Sequence, residues 1–116
     1  MKDSIIRDKS KEFALRIIKM YKFLTVSAPI KEYVLSKQVL RSGTSIGANI
    51  KEALRGQSRP DFRAKMNIAL KEASETEYWI ELLYESEYID ESCYTSIIND
   101  NRELIKILTS IVKSTE

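Results

Sequence analysis

Apolar side chains recur along this chain at intervals of three and four residues, the spacing that lines one face of an α-helix. Phe13, Ile17, Met20 and Leu24 mark the first such stripe, which predicts a helix from about Ser10, or from as early as Ser4, to Val26, ended by Ser27, Ala28 and Pro29. A second helix is expected over Tyr33 to Arg55, with Gly56 placed as its left-handed C-terminal cap. The segment Ser58-Arg59-Pro60-Asp61 then reads as a helix start. Ser58 serves as cap, Pro60 is tolerated in the first turn, and Asp61 suits the positive end of the helix dipole. This third helix, from about residue 59 to Ser86, carries Phe62, Met66, Ala69, Ala73, Thr76, Ile80 and Leu83 in steps of four and three, the seam of a bundle. The fourth starts near Asp90 or Ser92, covers about 91–114, and has Ile97, Asn101, Leu104, Leu108 and Ile111 on its seam. All three connections are short, so neighbouring helices run antiparallel. The pattern predicts one all-α domain over residues 1–116, an antiparallel up-and-down four-helix bundle.

Glycine and proline together occur five times, yet two of the glycines, Gly43 and Gly47, fall inside the second helix, where each costs about 1 kcal/mol relative to alanine. They lie on its apolar face among Val39, Leu40, Ile46, Ile50 and Leu54, which predicts close approach of another helix backbone. A phosphate-cradling loop would need a Gly-Lys-Ser/Thr ending or a preceding strand, and neither is present.

Composition narrows the chemistry. The chain has no histidine and one cysteine, Cys93, so the usual general bases and zinc or di-iron ligand sets are missing, and no metal or cofactor is expected. Cys93 has no basic neighbour in sequence and reads as a small core residue. The longest uncharged run is Ser42 to Ile50, too short to cross a membrane, and the charged N-terminus does not resemble a signal peptide. A cytoplasmic protein is expected.

The net charge of +2 conceals a strong asymmetry: residues 1–71 carry +10 and residues 72–105 carry −9. The basic half calls either for an anionic partner or for a protomer that docks basic half on acidic half. Within it, Lys37, Arg41, Lys51 and Arg55 fall within about 80° on the wheel of the second helix, and Arg59 and Arg63 continue the stripe across the turn. The first helix adds Lys9, Arg16 and Lys19 on one face and Lys11 and Lys22 on another. The stripe is either a solvated face or a surface for phosphates; it has little interleaved aromatic for base stacking.

The third helix carries a second apolar face, Ile68, Trp79 and Leu82, about 100° or more from the seam, with Glu72 and Glu75 set in it. Two readings stand: Trp79 packs within its own chain, or it anchors a contact between protomers. In the second reading the acids require a cation when that face is covered, and Arg41 is the candidate because no base follows Lys71 on the third helix. Glu72 and Glu75 as an acid/base pair would need a pocket that the sequence does not supply.

The stretches QVLRSGTSIGANIKEAL (Gln38 to Leu54) and KMNIALKEASETEYWIELL (Lys65 to Leu83), preceded by KSKEFALRIIKMYKFL, resemble the four-helix-bundle family of the 23S rRNA intervening-sequence proteins over nearly the whole chain. The resemblance implies a small bundle without known catalytic activity, commonly a homopentameric ring. Similar accessory proteins of diversity-generating retroelements associate with RNA and a reverse transcriptase through basic surface. Two positions depart from the family pattern: Lys51 stands where alanine is frequent, and Ser74 where a basic residue is common. The functional expectation is a non-enzymatic, homo-oligomeric accessory protein that binds RNA or DNA, with no small-molecule substrate; the competing one is a scaffold for another protein.

Overall fold

The computed structural model describes residues 2–116. Its helices are α1 (Lys2–Lys22), α2 (Leu35–Leu54), α3 (Arg59–Glu85) and α4 (Glu91–Ser114), packed antiparallel in a rod 48 Å long and about 20 Å across. The described residues contain no strand. Around the cross-section the order is α1, α2, α3, α4, with α4 returning to α1.

α1 starts well before Ser10. Its buried stripe is Ile6, Ser10, Phe13, Ile17, Met20 and Leu24, a regular alternation of four and three in which a polar residue holds one core position. The Ser10 hydroxyl donates to the Arg7 carbonyl at 3.0 Å, which makes its burial tolerable. Beyond Lys22 the helix widens into a π-helical turn, Phe23–Ser27, and ends where Ala28 turns extended before Pro29. α2 begins at Leu35 instead of Tyr33 because Glu32 acts in place of a conventional cap: its carboxylate accepts from the amides of Val34, Leu35 and Ser36 at 3.0, 2.9 and 2.6 Å.

The seams of α3 and α4 are buried as the periodicity requires, from Met66 to Leu83 and from Ile97 to Ile111. Two polar contacts sit among the apolar layers: the Ser42 and Thr76 hydroxyls meet at 2.9 Å across α2 and α3, and the Asn101 amide donates to the Ala73 carbonyl at 3.0 Å. Ser58 caps α3 by accepting from the Asp61 amide, and Asp90 caps α4 by accepting from that of Cys93.

Gly56 is not the left-handed cap that its position after α2 suggests, since no glycine has a positive φ. It serves space instead: a Cβ there would lie 2.6 Å from the Asp61 carboxylate and 3.0 Å from the Ala53 carbonyl. The left-handed residue is Glu87, φ 67°, where α3 ends in a Schellman-type closure with the Tyr88 amide on the Leu83 carbonyl.

Candidate nucleic-acid interface

Gly43 of α2 sets the approach of α1, and Gly47 lies opposite Ser10 one turn further on. A Cβ at Gly43 would fall 2.9 Å from Ile17 Cγ1, and one at Gly47 would fall 3.5 Å from the backbone carbonyl oxygen of Ser10. Backbones brought this close leave a shallow trough between α1 and α2, about 740 Å³ in volume, floored by Ala14, Gly47, Ala48 and Leu54. Arg7 and Lys11 rise from the α1 side; Lys51 and Arg55 rise from the α2 side. Each pair is one helical turn apart, a rise of about 6 Å. Because the helices are antiparallel and Ser10 faces Gly47, Arg7 comes level with Lys51. Four cations thus face one acid, Asp8, which pairs with Arg7 at 3.1 Å. Among the described residues Lys11, Lys51 and Arg55 have no ion-pair partner, and no aromatic ring lines the trough.

The six cations anticipated as one stripe separate into four places. Lys51 and Arg55 enter the trough. Arg41 points the other way, to α3, where it pairs with Glu72 and Glu75. Arg59 donates to the Ser114 carbonyl at 3.2 Å and Arg63 lies 3.6 Å from Glu116, so both are turned toward the end of α4. Lys37 stands exposed near the start of α2. A wheel shows angles on one helix, and the stripe spans faces that different neighbours claim. Lys11 was legible on the first helix and Arg7 in its possible extension, but the wheel of one helix does not show that both face Lys51, which depends on how α1 packs on α2.

On the α2–α3 side, the Trp79 indole N–H donates to Glu75 at 2.9 Å and its ring packs on the core, with Tyr78 5.3 Å away. Leu82 is half-buried and Ile68 is 41% exposed. Arg41 is the cation that meets Glu72 and Glu75, as expected, and it does so from α2 of the same chain. Antiparallel pairing of α2 and α3 is what brings residues 41 and 72–75 to one level. The indole N–H holds the Glu75 carboxyl below the usual glutamate range against partial burial, with Arg41 adding to the effect. Glu75 is therefore ionised near neutrality and unsuited to act as a general acid.

Among the described residues no three or more His, Cys, Asp and Glu side chains cluster as metal ligands. Cys93 is half-buried, and burial pushes its thiol up, with Asp90 adding to the shift. No helix is long and apolar enough to cross a membrane.

A model of the family described as 23S rRNA-intervening sequence protein matches residues 2–110, nearly the whole chain. The chain belongs to that family. A solved crystal structure of a protein of unknown function from the S23 ribosomal protein family of Bacteroides thetaiotaomicron is 60% identical and superposes with a TM-score of 0.93, covering 97% of this chain and 99% of that one. No curated protein matches the chain. The family is a small intervening-sequence or ribosomal-type family not known for enzymes, and its name links it to ribosomal RNA.

Proposed function

We propose that this protein is a non-enzymatic, cytoplasmic, self-associating accessory protein that binds RNA through the trough between α1 and α2. The observation that carries the reading is the convergence of Arg7, Lys11, Lys51 and Arg55 from two helices on one concave surface, with Asp8 the one acid lining it. Cations spaced by a helical turn match the repeat of phosphates along a strand, and the absence of lining aromatics favours contact with backbone over bases. Binding is then sequence-tolerant. Single-stranded RNA titrated at several salt concentrations tests this: neutralising three or four phosphates gives a slope of log K on log salt of roughly −2 to −3. Absence of binding at low salt would transfer the role to a protein partner. Self-association is supported by the opposed charges of the two halves of the chain.

A further inference from the structure

The trough itself holds no aromatic ring, yet rings and cations come together further along the same pair of helices, where α1 passes into α2. Phe23 opens that connection and Tyr33 stands near its end, 45% and 60% exposed, and Val26, Ile30 and Val34 are 70–72% exposed beside them. They make up five of the nine exposed large apolar side chains among the described residues, the kind of patch that marks a contact surface. The backbone beneath is fixed. Leu24 and Ala28 are buried, the Ala28 amide donates to the Phe23 carbonyl at 2.8 Å, and the Glu32 amide donates to the Leu24 carbonyl at 2.9 Å. The buried Glu32 carboxylate grips the start of α2, so the rings cannot turn inward without breaking these bonds.

The patch is positive. Glu32 is the only acid between residues 13 and 51, and it is buried, whereas Lys22, Lys31 and Lys37 are exposed around the rings with no ion-pair partner among the described residues. An anionic partner is called for. A lipid surface would press on the whole end of the rod, where Glu85, Glu87 and Glu91 stand exposed at the turn from α3 to α4. A single strand of nucleic acid can follow α1 and α2 alone. Exposed rings among lysines are what such a strand uses once its backbone is held, since every base has a flat face to stack on an aromatic side chain. Lys11 of the trough and Lys22 lie about 16 Å apart along α1, which about three nucleotides span at the one-per-turn spacing of the trough.

We infer that Phe23 and Tyr33 form a base-stacking subsite for single-stranded RNA, and that the strand held by its phosphates in the trough runs on along α1 and α2 to lay its next bases on these rings. The inference rests on the RNA binding proposed for the trough and adds an uncharged contribution to it. Lys22, Lys31 and Lys37 meet the phosphates on either side of the stacked bases. Stacking is indifferent to base identity, so the tolerance of sequence is kept.

Fluorescence anisotropy with two probes tests it: a single-stranded RNA of about twelve nucleotides and an abasic strand of the same length, each titrated at several salt concentrations. Phe23→Ala/Tyr33→Ala should weaken RNA binding about tenfold or more and leave the abasic strand within about twofold, with the slope of log K on log salt unchanged because the lost contacts carry no charge. Phe23→Trp/Tyr33→Trp should keep the wild-type affinity for RNA, and thermal melts establish that both variants are folded. An alanine variant that binds RNA as the wild type does overturns the subsite and leaves the trough standing; the patch then belongs to a protein partner. Equal losses on the RNA and the abasic strand, or a flattened salt slope, overturn it as well, since the rings then act only through the cations around them. A wild type that binds neither strand at low salt removes the trough and the subsite together.

Discussion

Gly43 of α2 lies against Ile17 of α1 with no room for a methyl group: an added Cβ would come within 2.9 Å of Cγ1 and 3.0 Å of Cγ2 of a side chain that is itself fully buried. Those atoms are branched close to the backbone, so relief requires movement of the helix. Gly43→Ala should destabilise the protein by about 1–3 kcal/mol despite its gain in helix propensity. Gly47→Ala meets only ordinary van der Waals contacts at 3.5 Å and should stabilise by about 0.5–1 kcal/mol. Urea denaturation of the two variants checks the opposite signs.

Arg41 is half exposed in its ion pairs, and Glu72 and Glu75 are 20% and 38% exposed, so neither acid is stranded in apolar surroundings. Full burial would make loss of one partner cost about 3–5 kcal/mol. At the observed exposure Arg41→Ala should cost about 1 kcal/mol or less, and most of that should disappear in 0.5 M salt. Melting curves at low and high salt read both effects.

Burial opposes ionisation of Glu32, but the backbone amides of Leu35, Ser36 and Val34 together hold its carboxyl below the ordinary value of 4.5. A carboxyl whose pKa is depressed by folding contributes its stability above the unfolded value and loses it as pH falls through the folded one. Stability should therefore decline below about pH 4.5, and Glu32→Gln should remove about 2 kcal/mol at neutral pH while flattening that part of the acid limb. Denaturant midpoints from pH 7 to pH 3 give the comparison.

Lys11→Glu/Lys51→Glu reverses two unpaired cations of the trough and should weaken RNA binding at least tenfold in low salt while reducing the salt slope. Arg59→Glu/Arg63→Glu alters residues turned toward the end of α4 and should change affinity by less than about threefold. Equal losses in the two variants would remove the trough as the binding surface.

Glu87 bears the positive φ that closes α3, a conformation that costs a side-chain-bearing residue about 1 kcal/mol or more. Glu87→Gly should raise stability by about 0.5 kcal/mol after the added freedom of the unfolded chain is counted, measurable as a rise in Tm.

Local periodicity and cap chemistry were enough to specify four helices, their antiparallel order, and the buried seams of α3 and α4, because each depends on residues close together in the chain. The cap at Ser58 belongs to the same class, whereas Asp90 and Ser92 were equal candidates for the start of α4 until the Asp90 carboxylate was seen to accept from the Cys93 amide. The sequence left the start of α1 open between Ser4 and Ser10 because Ser10 interrupts the apolar stripe, and a serine in that core position makes sense once Gly47 of α2 is seen opposite it. The left-handed position falls at Glu87 and not at Gly56 for a similar reason: the Asp61 carboxylate claims the space at Gly56, whereas the closure of α3 sets the backbone at Glu87. The basic surface shows the division most clearly. Lys37, Arg41, Lys51, Arg55, Arg59 and Arg63 were all legible as cations, but charge has no address until neighbours are assigned. Packing set Arg41 on Glu72 and Glu75, turned Arg59 and Arg63 toward the end of α4, and joined Lys51 and Arg55 to Arg7 and Lys11 across a trough that exists because Gly43 lets two helices come close.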